Sequence, residues 1–268
     1  MPTDPPPPRR KWHLNRWLIV LIVAMFGWSG WRAYAFRSAL AEAKALGWWV
    51  EYTDPVETIR ANWKAAFEKA TWLDGVTELR IPTGEAFEQH LAIVHRLNPK
   101  RLIIDVTGIL RDLAALCPLT RLQVLSFYNA KGLTNVDALK NLSALQRVSL
   151  GGCTGLTNVD GLKNLSALQW VGLIGCTGLT NVDGLKNLPT LQEVSLDGCT
   201  GLTNVDALKN LSALQRVDLD GCTGLTNVDA LKNLPALHTI HLNGCTGLTE
   251  ESVAGLRAAL HNAYITGP

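Results

Sequence analysis

Hydrophobic residues recur along this chain with a period of 23, most clearly from Gly132 onward. Five units, starting at Gly132, Gly155, Gly178, Gly201 and Gly224, differ at few positions. The second reads Gly-Leu-Thr-Asn-Val-Asp-Gly-Leu-Lys-Asn-Leu-Ser-Ala-Leu-Gln-Trp-Val-Gly-Leu-Ile-Gly-Cys-Thr. Self-similarity at a period of this length predicts a solenoid, in which each unit buries its apolar side chains against its neighbours. Within a unit the pattern changes period. Val148 and Leu150 alternate with Arg147, Ser149 and Gly151, the alternation that sends one set of side chains inward and the other to a strand's open face. Leu156, Val159, Leu162 and Leu165 then recur every three residues, the period of a 3₁₀ turn. Short parallel strands should therefore line a concave face, with the chain returning along a convex side.

The segment Leu145-x-x-Val148-x-Leu150-x-x-Cys153-x-x-Leu156, with equivalents beginning at Leu168, Leu191, Leu214 and Leu237, resembles the leucine-rich repeat signature. The register extends backwards through Leu122-x-x-Leu125-x-Phe127, Pro99-x-x-Leu102-x-Ile104 and Val76-x-x-Leu79-x-Ile81, and forwards to Leu260-x-x-Ala263-x-Ile265, making nine strands over 76–265. Leu110, Leu113, Leu116 and Leu119 keep the three-residue spacing. Phe87, Leu91, Val94 and Leu97, and the segment Glu250 to Leu260, suit α-helices at the two ends, where one face has no neighbour.

The first 75 residues are different in kind, holding eight of the nine tryptophans. Residues 1–16 read as a disordered Pro-rich and basic leader, with Arg9, Arg10, Lys11 and Arg16. Residues 17–36 read as a transmembrane anchor: the uncharged run Trp17 to Trp31, extended to Phe36, reaches about 30 Å, with Arg32 snorkelling and Trp and Tyr near both ends. A cleaved signal peptide is the rival reading, because Ala33-Tyr34-Ala35 resembles a small-x-small cleavage site; Arg32 beside it counts against cleavage. Residues 37–75 read as an N-terminal cap: a helix from Ser38 to Leu46, a strand from Trp48 to Tyr52 and a helix from Pro55 to about Trp72. Residues 76–268 form the solenoid with its last helix and strand. The fold class expected is an α/β solenoid of the leucine-rich repeat type, preceded by one transmembrane helix. This layout of anchor, Trp-rich cap and repeats looks like that of membrane-anchored bacterial repeat proteins. The positive charge before the span places the leader in the cytoplasm and the repeats on the extracytoplasmic side of a single-pass membrane protein.

A hydrophobic content of 47% with 18% charged residues excludes wholesale disorder, and a formal charge of +2 leaves no basic excess for nucleic acid. Six cysteines are too sparse for a disulfide scaffold. Cys153, Cys176, Cys199, Cys222 and Cys245 hold one position in successive units, so they spread along a line instead of converging on a metal, and buried, reduced thiols are expected. Asp137, Asp160, Asp183, Asp206 and Asp229 each precede a Lys by three residues and are expected to cap the following turn and pair with that Lys on a solvated convex face.

The five copies share a context, so their differences are informative. The units at Gly132 and Gly201 differ only at Ser149 against Asp218 and Gly151 against Asp220. Across all five, variation concentrates at three outward strand positions: Arg147, Trp170, Glu193, Arg216, Thr239; Ser149, Gly172, Ser195, Asp218, His241; and Gly151, Ile174, Asp197, Asp220, Asn243. Drift at exposed positions does not account for this, because the partly exposed convex Thr-Asn-Val-Asp segment has not drifted. The expectation is a protein or peptide bound on the concave face by Arg147, Trp170, Ile174, Glu193, Asp197, Arg216, Asp218, Asp220 and His241, centred on an exposed Trp170 with a polar rim. No cofactor is implied. Ser195, Asp218 and His241 stand in a row with Asp in the middle, the wrong order for a catalytic triad, and His90, His95, His238 and His261 have no evident partner, so no enzyme is expected. Calcium on Asp197, Asp218, Asp220 and Asn243 is weighed and set below a plain acidic patch. A structural envelope scaffold without a partner, or a secreted repeat protein, are the alternatives.

Overall fold

The computed structural model describes residues 35–52, 76–81, 91–105 and 113–267. The apolar run 17–34 and the helix expected from Pro55 to Trp72 lie outside these residues. Among the described residues no helix is long and apolar enough to cross a membrane. The first helix, α1, covers 35–45, and Phe36, at the end of the apolar run, packs half-buried against the core as part of it. Ala39, Leu40 and Ala43 of α1 and Trp48 after it are buried.

The strands form one ten-stranded sheet in sequence order: β1 (Trp49–Tyr52), β2 (Val76–Ile81), β3 (Arg101–Asp105), β4 (Val124–Tyr128), β5 (Arg147–Gly151), β6 (Trp170–Gly172), β7 (Glu193–Ser195), β8 (Arg216–Asp218), β9 (Thr239–His241) and β10 (Tyr264–Thr266). β1 pairs antiparallel with β2, which closes the first edge of the sheet with a strand that is no part of the repeat. All other pairs are parallel. From β2 to β9 equivalent residues are 23 apart, as in the ladder Leu79, Leu102, Leu125, Val148, Val171, Val194, Val217, Ile240, and each of these is buried.

The last rung departs from the periodic expectation. Ile265 pairs with Ile240, a step of 25, whereas the repeat would have placed Ala263 there. The cause is the return segment, the ten-residue helix α3 (Glu250–Ala259), capped by Thr249, whose Oγ1 accepts from Ser252 N at 3.2 Å. At the other end α2 (Leu91–Leu97) is also helical, with Ile93, Val94 and Leu97 buried. Between them the convex side is built of 3₁₀ turns at Ala114–Leu116, Asp137–Asn141, Asp160–Leu162, Asp183–Leu185, Asp206–Leu208 and Asp229–Leu231. Leu156, Val159, Leu162 and Leu165 are fully buried, as the three-residue spacing requires.

The aspartates do not cap these turns. Residues before each turn make no side-chain cap, and the acceptor is instead the Asn two positions before each Asp. Asn135, Asn158, Asn181, Asn204 and Asn227 accept from the backbone N–H of Asp137, Asp160, Asp183, Asp206 and Asp229 at 2.7–3.2 Å. The second role expected of the aspartates is met in three units, at Asp160–Lys163 (2.8 Å), Asp183–Lys186 (3.0 Å) and Asp229–Lys232 (2.6 Å).

β4 to β9 each leave through a left-handed residue, Gly152, Gly175, Gly198, Gly221 and Gly244 at φ of 69–73° and Asn129 at 62° in the diverged unit. The ladder cysteine follows at once. All five ladder thiols are free and fully buried. Four reach across to the neighbouring unit, donating to the carbonyls of Leu150, Leu173, Leu196 and Leu219 at 3.0–3.1 Å. The cysteine is thus both filler and hydrogen-bond donor.

Candidate functional site

Pleating puts alternate strand residues on the concave face. The register aligns Arg147, Trp170, Glu193, Arg216 and Thr239 in one row and Ser149, Gly172, Ser195, Asp218 and His241 in the next. The third row continues past the strands through the bonds Gly152 N–H to Ile174 O, Gly175 N–H to Asp197 O and Gly198 N–H to Asp220 O, each 2.7 Å. All three variable positions of the unit therefore share one face.

The middle row is a trough. Ser149 and Ser195 are only 8% and 5% exposed, so this row is a floor and its flanks carry the contact surface. Trp170 is not the freely exposed ring expected. Its benzo ring lies over Gly172, where any Cβ would collide with it, and the side chain is half-buried. The glycine makes room for the tryptophan of its own strand. Tyr128, two rungs from Trp170, lies beside Gly151 of the next strand, its ring at ordinary contact distance, 3.4 Å, from where a Cβ would stand, and is 45% exposed. Ile174, 49% exposed, completes an apolar shelf with the two rings. Tyr128 is the residue sequence reasoning missed, because it lies in a diverged unit outside the five compared. Extending the same register one unit back identifies it.

Toward the C-terminal end the face is acidic and mostly satisfied internally. Arg216 Nε donates to both carboxylate oxygens of Asp218 at 3.1 and 3.0 Å and lies 3.5 Å from Glu193, and the Asp218 carboxylate holds the guanidinium more firmly protonated than usual. Asp220 accepts from the backbone N–H of Asn243 at 2.7 Å and from its side-chain amide at 3.1 Å. His241 stands 3.7 Å from Asp218 and shares a hydrogen bond with Thr266 at 3.1 Å. Asp197 differs. Its Oδ2 accepts from Ser195 Oγ at 3.3 Å, while its Oδ1 is buried with no hydrogen-bond partner. Burial, then the charges of Asp218 and Asp220, push its carboxyl above the ordinary range.

Toward the N-terminal end cations prevail. Buried Glu78 is held between Arg80 at 2.6 Å and Arg101 at 3.0 Å, Arg80 lies over the Trp49 ring, and Arg147 is exposed. Among the described residues no group of three or more metal-ligating side chains converges. Ser195 donates to Asp197 and not to a histidine, so the row Ser195, Asp218, His241 is not a catalytic relay.

Residues 120–249 match the family model described as a BspA-type leucine-rich repeat region, in six copies. These residues form a leucine-rich repeat region. Among solved structures the chain is similar to internalin C2 from Listeria monocytogenes, with 26% identity, a TM-score of 0.54, and coverage of 73% of this chain and 82% of that one. It shares its fold with the leucine-rich repeat domain of the type III effector XopL, at 20% identity and a TM-score of 0.51, over 88% and 89% of the two chains. No curated protein matches the sequence. Leucine-rich repeat proteins generally mediate protein–protein interaction, and the fold is typically a scaffold without catalysis.

Proposed function

We propose that this protein is a non-enzymatic interaction module that binds a protein or peptide on the concave face of its repeats. In this reading the apolar run that begins at Trp17 and ends before α1 holds it in a membrane, with the repeats on the extracytoplasmic side. The observation that carries the binding assignment is the apolar shelf of Tyr128, Trp170 and Ile174, set between a cationic and an acidic stretch. A central apolar anchor inside a charged rim is the composition of a binding hot spot. The nine parallel strands, at about 4.8 Å each, make a surface nearly 40 Å long, enough for a specific interface. The charged rim implies binding that weakens with salt.

A photo-crosslinking residue placed at Ile174 in the full chain, expressed in its membrane, should trap a protein adduct. The same residue at convex Lys163 should not. Trp170→Ala should weaken the trapped interaction by about 2 kcal/mol with little change in thermal stability, because the ring rests on the trough and not in the core. Adducts formed equally from both faces, or from neither, would refute the assignment. Protease added outside intact spheroplasts should remove the repeats; full protection would reverse the topology, and loss of the first 35 residues from the mature chain would show cleavage.

A further inference from the structure

The third row of the concave face places an apolar shelf and an uncompensated carboxylate at a fixed separation. Tyr128 and Ile174 flank Gly151, one rung to either side, and Asp197 lies two rungs beyond Gly151. At about 4.8 Å per rung the shelf centre and Asp197 are about 10 Å apart. The neighbouring acids are engaged, Asp218 by Arg216 and Asp220 by Asn243, whereas Asp197 keeps one buried oxygen without a donor. A cation arriving at the half-buried carboxylate would offset the mutual repulsion of the three carboxylates.

We propose that this row takes a segment of a protein partner in the polyproline II conformation, with an apolar residue on the shelf and a Lys or Arg three residues away from it paired with Asp197. The proposal rests on the concave-face reading and specifies its ligand. The conformation follows from the spacing. A polyproline II segment advances about 3.1 Å per residue with three residues per turn, so residues i and i+3 share a face about 9.3 Å apart. A β-strand repeats its face at about 6.7 Å and about 13 Å, and neither matches two rungs. An α-helix returns at i+7, about 10.5 Å, but its intervening i+3 or i+4 side chain would point at Ile174, which stands up between the two positions at 49% exposure. Polyproline II presents nothing to the face between i and i+3. Flat rings such as Tyr128, beside Gly151, and Trp170, over Gly172, are the surface on which such a segment packs.

The test uses the full chain in detergent and fluorescein-labelled twelve-residue proline-based peptides, each with one Leu and one Arg, in both chain directions. Fluorescence anisotropy should show a peptide with Leu and Arg three apart binding at least ten-fold more tightly than one with them two apart, or with citrulline for Arg. Asp197→Asn should bring the three-apart peptide to the level of the citrulline peptide. Tyr128→Ala should weaken both, and Asp206→Asn on the convex side neither. Absence of binding, indifference to spacing or to Asp197→Asn, a preference for a helical peptide with a seven-residue separation, or displacement by a neutral oligosaccharide would each overturn the proposal. If crosslinking at Ile174 stands while the peptides fail, this inference alone falls. If both fail, the concave-face reading falls with it.

Discussion

Asp197 is held in an unfavourable place. Its carboxylate sits beside Asp218 and Asp220 with one oxygen buried and unbonded, and the native state favours its protonated form more than the unfolded chain does. Such an acid binds its proton more tightly when folded, so it destabilises the protein at pH values above its raised pKa, and the penalty disappears as the pH falls through that value. Asp197→Asn is therefore expected to raise Tm at pH 7, with the gain shrinking toward about pH 4, where the unfolded carboxyl is also half protonated. Thermal unfolding across that range measures it, and a variant no more stable than wild type at pH 7 would show that the carboxylate is not strained. At this scale the sequence was informative where copies could be compared, and Ser149, Gly172, Ser195, Asp218 and His241 do fall in one row. It could not show that Trp170 folds down onto Gly172, because that depends on a rotamer and on the narrowness of the trough.

At the scale of the element, the turn after each strand and the 3₁₀ turn after that explain which unit residues do not vary. Asn181 accepts the N–H of Asp183 and opens the turn, whereas Asp183 pairs with Lys186 on the surface, both side chains about half exposed. Asn181→Ala is expected to cost about 1 kcal/mol as a lost cap. Asp183→Ala should cost less than about 0.5 kcal/mol, because exposed ion pairs contribute little. Denaturant unfolding of the two variants separates the roles, and equal costs would return the capping role to the aspartate. Asn and Asp both cap well, so the sequence alone assigns this role ambiguously, and the backbone geometry decides it. The parallel register was legible because a 23-residue step recurs. It failed at β10, where α3 replaces a 3₁₀ turn and takes up two more residues, and β1 was not foreseeable as an antiparallel partner because nothing in a repeat describes what covers its end.

For the whole molecule, the ladder thiols tie stability to alkaline pH. Burial pushes Cys199 up to about 12 and Cys245 to about 11, and burial likewise raises Cys222. Unfolded thiols ionise near about 8.5, so above that pH the unfolded chain sheds protons the folded one retains, and stability falls as pH rises. Each such thiol contributes a slope of up to about 1.4 kcal/mol per pH unit between its unfolded and folded values. Tm should decline steeply from pH 8 to pH 10, less so in Cys222→Ala, while thiol reagents at pH 8 label the native ladder slowly. Fast labelling or identical slopes would contradict this.

The near-identity of the units at Gly132 and Gly201, which differ only at two concave positions, has a consequence for inheritance. Repeats this alike can misalign during recombination, and a crossover between equivalent points adds or deletes whole rungs, three of them for this pair of units, without changing any buried contact type. The distance from the rings of Tyr128 and Trp170 to the carboxylate of Asp197 can therefore change only in steps of one strand spacing. Lineages that gain or lose a unit between them would shift ligand preference by a fixed increment, as a ruler does, while folding as well as before.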